Sequence, residues 1–279
     1  MRALIVTNMY PSREHPALGS FVHDQVQALR RIPEVELELF TFAPGSGSPA
    51  TYVRAAAALR RRYGQRRFDV VHAHYGLTAW PALAVPARLH AVTLHGTDLS
   101  HPRSRAITLS ALRLLDLVAA ASAQLAAAIP RWATRAAPSV LPCGVDIDRF
   151  RPRARGEARA ALGLDRAGPY VLFAADPRRQ EKRYDRARAV AGDTPLLTLV
   201  DVEPADVPLW VNAANAVLVP SEREGFGLAV LEALACDVPV LATPAGIAPA
   251  ALHGVAGTLC RPFEPEAWRA ALAPHLAAA

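Results

Sequence analysis

Short apolar runs of strand length alternate with helix-length stretches along almost the whole chain. Strand-like segments fall at residues 3–7, 36–41, 70–73, 91–94, 117–121 and 139–141. Helical stretches are predicted between them at 20–31, 52–63, 77–88, 104–114 and 123–132. Residues 146–168, which contain Arg151-Pro152-Arg153-Ala154-Arg155, break the rhythm and read as a linker with a short helix. Alternation then resumes, with strands at 170–173, 196–200, 216–219 and 240–242 and helices at 182–190, 207–212, 228–236 and 264–276. Strands separated by helices form parallel sheets covered on both faces, so the fold class is α/β. Two doubly wound, Rossmann-like domains are expected, 1–150 and 151–279, with ligands at the carboxyl ends of the strands.

One strand–turn–helix unit carries more chemistry than the others. The apolar run Ala216-Val217-Leu218-Val219 is followed by Pro220-Ser221-Glu222-Arg223-Glu224-Gly225-Phe226-Gly227 and a helical segment starting near Leu228. A glycine-rich turn into a helix exposes backbone N–H groups at the positive end of the helix dipole, where a phosphate binds. Glu224 and Glu232 bracket that turn, the first before the helix and the second just past its first turn. Read alone, Glu224 favours a helix N-terminus and Glu232 is a solvated helix residue. Set on either side of a phosphate seat, the two carboxylates also suit the hydroxyls that flank a nucleotide sugar's diphosphate.

A second feature is independent of that turn. Of 31 basic residues only Lys182 is a lysine. It lies after the strand at 170–173 in the loop Asp176-Pro177-Arg178-Arg179-Gln180-Glu181-Lys182. An ammonium is a compact point charge suited to phosphate, whereas guanidinium favours planar bidentate contacts.

The stretch Glu224-Gly225-Phe226-Gly227-Leu228…Glu232-Ala233-Leu234-Ala235, continued by Val238-Pro239-Val240-Leu241-Ala242-Thr243, resembles the E-x7-E signature of the family-4 retaining glycosyltransferases. The resemblance covers nearly the whole chain. It includes Thr7-Asn8-Met9-Tyr10-Pro11 with Gly19-Ser20-Phe21-Val22, residues 68–74, Thr93-Leu94-His95-Gly96-Thr97-Asp98, and Gly144-Val145-Asp146 before Phe150-Arg151-Pro152.

It implies a GT-B architecture, with the active site in the cleft between an acceptor-side N-terminal domain and a nucleotide-sugar-binding C-terminal domain. It also implies roles. His95 and Glu224 contact the donor sugar and Glu232 the ribose. Lys182 and either Arg178 or Arg179 neutralise the diphosphate. Gly19, Gly225, Phe226, Gly227 and Leu228 line the donor, and Asp98 orients His95 or an acceptor hydroxyl.

The implied reaction is transfer of a sugar from a nucleotide donor to an acceptor hydroxyl with retention, needing neither metal nor cofactor. The acceptor would be a glycan, a lipid-linked or cell-envelope saccharide, or a small molecule. The alternative is a non-catalytic nucleotide-sugar-binding partner subunit.

Departures from the family pattern are Cys143 where Asn is usual, Ala250 where Glu is frequent, and a short segment at 192–212. The chain also ends at Ala279 without the long helix that usually crosses back to the first domain. Without that helix, closure over the donor is expected to rest on the linker around residues 146–153.

Other classes are disfavoured. The first strand lacks a following G-x-G-x-x-G, which argues against a dinucleotide oxidoreductase. An epimerase of similar architecture would not carry the E-x7-E segment. His72 and His74 share a strand face but have no third ligand nearby in sequence, and Asp146-Ile147-Asp148 lies in the linker, so no metal site is assigned. Gly45-Ser46-Gly47-Ser48 lacks a following lysine and reads as a flexible loop.

Cys143, Cys236 and Cys260 are widely spaced and fit a reducing compartment. No signal peptide and no run of 18 apolar residues occurs, so a cytoplasmic protein is expected. A net charge of +6, with Arg54, Arg60, Arg61, Arg62, Arg66 and Arg67 along one helical stretch, favours anionic partners. Peripheral contact with an anionic inner membrane face is one expectation. Nucleic acid is not, since no aromatic residues interleave with the basic clusters.

Overall fold

The structure, a computed structural model, describes residues 1–43 and 48–277. The glycine-serine loop at 45–47 therefore lies outside the described residues. The chain divides into two compact units, Met1–Gly144 and Val145–Ala279. Residues 145–150, expected with the first domain, belong to the second because Val145 and Phe150 pack into its core.

The first unit contains β1 (Arg2–Thr7), α1 (Ser20–Arg30), β2 (Glu36–Thr41), α2 (Pro49–Tyr63), β3 (Phe68–His74), α3 (Ala79–Ala82) and β4 (Ala87–Leu94). α4 (Thr97–Ser100), α5 (Pro102–Leu112), β5 (Leu117–Ala120), α6 (Ala123–Ala127) and β6 (Ser139–Val140) complete it. Its sheet is parallel throughout, in the order β2-β1-β3-β4-β5-β6. Alternation along β1 explains the two covered faces. Leu4 and Val6 pack with Leu59, Tyr63, Leu109 and Leu112 of α2 and α5, while Ile5 packs with Val22 and Val26 of α1. Each fully buried side chain of this size contributes about 1.5–3 kcal/mol.

The second unit contains α7 (Arg155–Ala161), β7 (Val171–Phe173), α8 (Tyr184–Ala191), β8 (Leu196–Thr198), α9 (Val207–Ala213) and β9 (Ala216–Val219). α10 (Leu228–Ala235), β10 (Val240–Ala242), α11 (Ala248–Ala251), β11 (Leu259–Cys260) and α12 (Pro265–Ala277) follow. Its parallel sheet runs β11-β10-β9-β7-β8. Leu172, Val217 and Val240 meet Val211, Val230 and Ala233 on one face, whereas Phe173, Leu218 and Leu241 meet Val190, Trp268 and Leu272 on the other. Arg159 of α7 is buried, and its guanidinium donates to the Ala213 carbonyl at 2.9 Å, the Arg166 carbonyl at 2.8 Å and Asn215 Oδ1 at 2.7 Å. No sequence pattern pointed to it.

The strand and helix order agrees with the sequence reading, with local exceptions that have physical causes. The helix expected at 77–88 is only a 3₁₀ turn and α3, and β4 starts at Ala87, because Pro86 keeps Val85 out of helical geometry. The helix expected at 123–132 stops at Ala127, ahead of Pro130. β11 and α11, each four residues or shorter, are too short to leave a periodic signal.

Candidate functional site

In the second unit the connections out of β7 lead first to β8 on one side and then back across to β9 on the other. The order reverses between β7 and β9, and at such a switch point the two following loops part and leave a crevice at the strand ends. Those loops are the two singled out from the sequence. After β7 the chain passes through a 3₁₀ turn, Gln180–Lys182; after β9 it passes through Glu224 to Gly227 and enters α10. The Glu222 amide donates to the Glu181 carbonyl at 3.0 Å, tying one loop to the other.

At this junction Lys182 Nζ donates to both carboxylate oxygens of Glu224, at 2.7 and 2.6 Å. Their side chains are 15% and 7% exposed. Ser221 Oγ donates to Glu224 Oε1 at 2.7 Å, and Thr243 Oγ1 donates in turn to the Ser221 carbonyl. The carboxylate is thus held by a cation and a hydroxyl, which offsets the cost of burying it. A small cavity of about 40 Å³ opens between Lys182, Ser221, Glu224, Gly227, Leu228 and the Phe173 end of β7.

Gly227 takes φ 89° at the N-terminal end of α10, a left-handed conformation that glycine adopts without strain. The turn is backed by Gly246, at φ 61°. A Cβ there would lie 2.2 Å from the Phe226 carbonyl oxygen and 2.9 Å from Glu224 Cβ. The Ile247 amide then donates to the Phe226 carbonyl at 2.7 Å.

The other expected donor-binding residues are placed around this centre. Arg178 pairs with Asp176 at 2.6 Å and Arg179 with Glu181 at 2.7 Å, both exposed, and Arg178 holds the Asp176 carboxyl below the usual carboxylate range. Exposed pairs of this kind contribute roughly 0–1 kcal/mol and yield readily to a stronger anion. Both arginines stay available, so the geometry does not choose between them. Glu232 is half-buried on α10, about 6 Å along the axis from Leu228, and is not part of the cavity wall. Phe226 is buried and Gly225 half-buried in the turn.

In the first unit the sheet order reverses between β1 and β3. Gly19, at φ 66°, lies against the loop after β1, where a Cβ would meet the Met9 carbonyl oxygen at 2.3 Å. A cavity of about 640 Å³ lies at the ends of β1 and β2 and is lined by Asn8, Tyr10, Arg13, His15 and Phe42.

His95 follows β4. Its Nε2 lies 3.1 Å from His74 Nδ1, and the two rings lie edge to edge, their centroids 5.3 Å apart and their planes 14° from parallel. His72 lies 4.4 Å from the His74 ring and bonds Thr93 Oγ1 at 2.8 Å. Burial pushes all three imidazoles down, His72 to about 4 and His95 to about 3, so they are neutral at pH 7.

Asp98 is fully buried. Its carboxylate accepts the amides of His95 at 3.0 Å, Gly96 at 2.8 Å and Gly76 at 3.2 Å. It therefore orients the backbone that carries His95, and burial raises it above the usual carboxylate range.

Three contributors were given no role by the sequence: Gly246, Thr243, which was quoted only as the end of the signature stretch, and His74 as the partner of His95. His72 and His74 were noticed, but their third neighbour comes from the adjacent strand, where His74 pairs in register with Thr93. Among the described residues no group of three His, Cys, Asp or Glu side chains is placed to hold a metal. Asp146 Oδ1 instead accepts the amides of Asp148 at 3.0 Å and Arg149 at 3.2 Å, a turn of the linker.

Comparison with known proteins agrees with the two-unit α/β fold. Residues 6–149 match the family profile described as Glycosyltransferase Family 4, and residues 165–277 match that described as Glycosyl transferases group 1. The D-inositol 3-phosphate glycosyltransferase of Actinosynnema mirum is 31% identical over 298 residues, covering 82% of this chain and 70% of the relative. Relatives of the same name from Pseudarthrobacter chlorophenolicus and Frankia alni are 28% and 29% identical, covering 89% and 71% of this chain. The chain spans 70% of the length of the first of these two and 63% of the second.

Among solved structures, the sucrose-phosphate synthase of Thermosynechococcus elongatus superimposes with a TM-score of 0.74 at 20% identity, covering 99% of this chain and 90% of its own. Anabaena HepE in complex with UDP-glucose gives 0.65 at 16%, with coverage of 99% and 90%. These likenesses establish the two-domain α/β fold shared with GT-B enzymes. With its first unit matched almost from end to end by that profile, the chain belongs to Glycosyltransferase Family 4.

Proposed function

We propose that this protein transfers a sugar from a nucleotide-sugar donor to an acceptor hydroxyl with retention of anomeric configuration. The observation that carries the reading is the Lys182–Glu224 pair beside the left-handed Gly227 turn, at the switch point of the second unit. As the glycosidic bond breaks, the diphosphate gathers negative charge. Lys182, one of Arg178 and Arg179, and the amides opening α10 stabilise that charge, the larger part of catalysis in such a site.

Lys182 then changes partner, from the Glu224 carboxylate to the leaving phosphate. The released Glu224 accepts hydrogen bonds from the donor sugar's hydroxyls, held in place by Ser221. Glu232 takes the ribose, and His95 meets the sugar. The departing phosphate itself accepts the acceptor's proton on the same face of the sugar, so no residue with a pKa near 7 is required as a base. HepE, solved with UDP and with UDP-glucose, supports a nucleotide-sugar donor.

The cavity at Asn8, Tyr10 and Arg13 offers the acceptor hydrogen-bonding groups and one cation. Since cations from the chain neutralise the diphosphate in this reading, turnover is expected to persist in excess EDTA. A thermal-shift panel of nucleotide sugars followed by NMR of the product tests the reading. Binding at 100 times Kd adds roughly 2.7 kcal/mol, and an inverted anomeric centre would refute retention. Binding without any transfer or hydrolysis would leave a nucleotide-sugar-binding partner subunit in its place.

The same reading places the protein in the cytoplasm against an anionic membrane face. Between residues 49 and 135 lie twelve arginines, three aspartates and no glutamate. In that segment Trp80, Ile107, Leu114 and Trp132 are exposed, joined by the Trp80 indole donating to the Ile107 carbonyl and Arg113 donating to the Trp132 carbonyl. No helix of the described residues is long and apolar enough to cross a membrane. Exposed tryptophans among arginines suit a surface-bound protein. Equal sedimentation with phosphatidylglycerol and phosphatidylcholine vesicles would remove this part of the reading.

A further inference from the structure

The three histidines of the first unit hold a detail that fixes which atom of His95 faces a ligand. His74 is fully buried, and its Nε2 has no hydrogen-bond partner among the described residues. A neutral imidazole carries its proton on only one nitrogen. Were that proton on Nε2, a buried N–H would be orphaned, a rarer and costlier defect than an unused acceptor. The proton therefore belongs on Nδ1, which lies 3.1 Å from His95 Nε2 and donates to it.

His95 must then carry its own proton on Nδ1, which has no hydrogen bond within the protein among the described residues. The surroundings preserve this state. The His72 ring packs on His74 at 4.4 Å and the Phe21 ring on His95 at 4.7 Å. The nearby Asp98 carboxylate is occupied by the backbone amides of His95, Gly96 and Gly76.

We infer that His74 is a positioning residue for His95, holding it as the neutral Nδ1–H tautomer so that it meets its ligand as a hydrogen-bond donor. His95 so held cannot take a proton at Nδ1. The atom opposite it must be an acceptor, a hydroxyl or phosphate oxygen of the donor. The choice of that ligand rests on the transferase reading, whereas the tautomer does not.

The test is a long-range 1H–15N correlation spectrum of the ¹⁵N-histidine-labelled protein at pH 7, without ligand, with His95 assigned through His95→Gln. The expected spectrum shows His95 protonated at Nδ1 and bare at Nε2. His74→Phe keeps a ring packed against His72 but removes the donor. It should mix the His95 tautomers and lower kcat/KM on the order of tenfold, the effect of one hydrogen bond. His74→Asn, which restores an N–H near the Nδ1 position, should recover most of both.

His95 protonated at Nε2 or on both nitrogens in the unmutated protein overturns the inference, whether or not turnover is seen. That spectrum decides the matter even if His74→Phe does not fold. The expected tautomer together with unchanged kcat/KM in His74→Phe overturns the positioning role while the transferase reading stands. The expected tautomer without turnover on any nucleotide sugar supports the tautomer and sinks the transferase reading instead.

Discussion

The two units are built on the same plan, a parallel sheet with a reversal of strand order, yet they furnish their strand ends with different chemistry. In the second unit the loops after β7 and β9 carry ions in pairs: Lys182 with Glu224, Arg183 with Asp185 and Glu222, Arg178 with Asp176. In the first unit the loop after β1 carries Arg13 and Glu14, but the ends of β3 and β4 carry uncharged rings, with His72, His74 and His95 kept neutral by burial and one carboxylate absorbed by backbone amides. Ion pairs can be traded for a charged ligand at little net cost in charge. Neutral donors and acceptors suit hydroxyls. The difference suits the proposed division of labour, in which the second unit holds the diphosphate, the ribose and part of the donor sugar, and the first adds neutral groups to that sugar.

The sharpest way to break that comparison is at Lys182. Lys182→Ala should lower kcat and kcat/KM together by on the order of 10² to 10³-fold, because leaving-group charge peaks in the transition state. It should also destabilise the protein by about 3–5 kcal/mol, since Glu224 is left buried without its cation. Adding Glu224→Leu should restore much of the melting temperature and none of the turnover. Recovery of both would reduce the pair to scaffolding.

Next in size is Gly246→Ala. The new Cβ has no room against Phe226 and Glu224, so donor affinity in calorimetry should fall at least tenfold alongside a loss of stability. Gly163→Ala is the control. That position has φ 68° with nothing within 4 Å of a Cβ, so only the backbone cost of about 1–2 kcal/mol is expected. Equal effects of the two substitutions would show that the glycine backing of the turn is ordinary backbone strain.

The smallest expected effect concerns acid. A histidine whose folded pKa lies below its unfolded value near 6.5 binds its proton more readily when unfolded. Its stabilising effect is therefore full at neutral pH and is lost as pH falls from about 6.5 towards the folded values of about 4 for His72 and about 3 for His95. The slope is at most about 1.4 kcal/mol per pH unit for each group. Asp98, raised by burial, acts with opposite sign only in the carboxylate range. Urea melts from pH 7 to 5 should show this loss in the native protein and a shallower one in His72→Phe. Parallel curves would mean that His72 binds its proton equally well in the folded and unfolded chain.

Much of this was legible from local sequence because the informative signals are local. A strand, a glycine turn and a helix follow one another at 216–235, and the chain's single lysine sits in the loop that the topology brings alongside. What remained hidden depends on packing between distant segments. Gly246 is recognisable only once the Phe226 carbonyl is seen against it. His74 and His95 meet because their strands are neighbours in register. Arg159 in an alanine-rich helix resembles a surface arginine until its three carbonyl and amide acceptors are in view. The strand read at 91–94 begins four residues earlier, at Ala87, and that start was missed for the opposite reason: Pro86 carried the signal, and apolar periodicity outweighed it.

The bond from the Glu222 amide to the Glu181 carbonyl has one more consequence. It is a single backbone contact between loops some forty residues apart, and it belongs to neither sheet ladder. Its amide proton can exchange with deuterium only when the two loops separate, so its exchange rate records how often the Lys182 loop parts from the Glu224 turn. Nature has thus placed an isotope clock at the seam of the site. A ligand that bridges the two loops must slow it, and one that binds elsewhere in the unit need not.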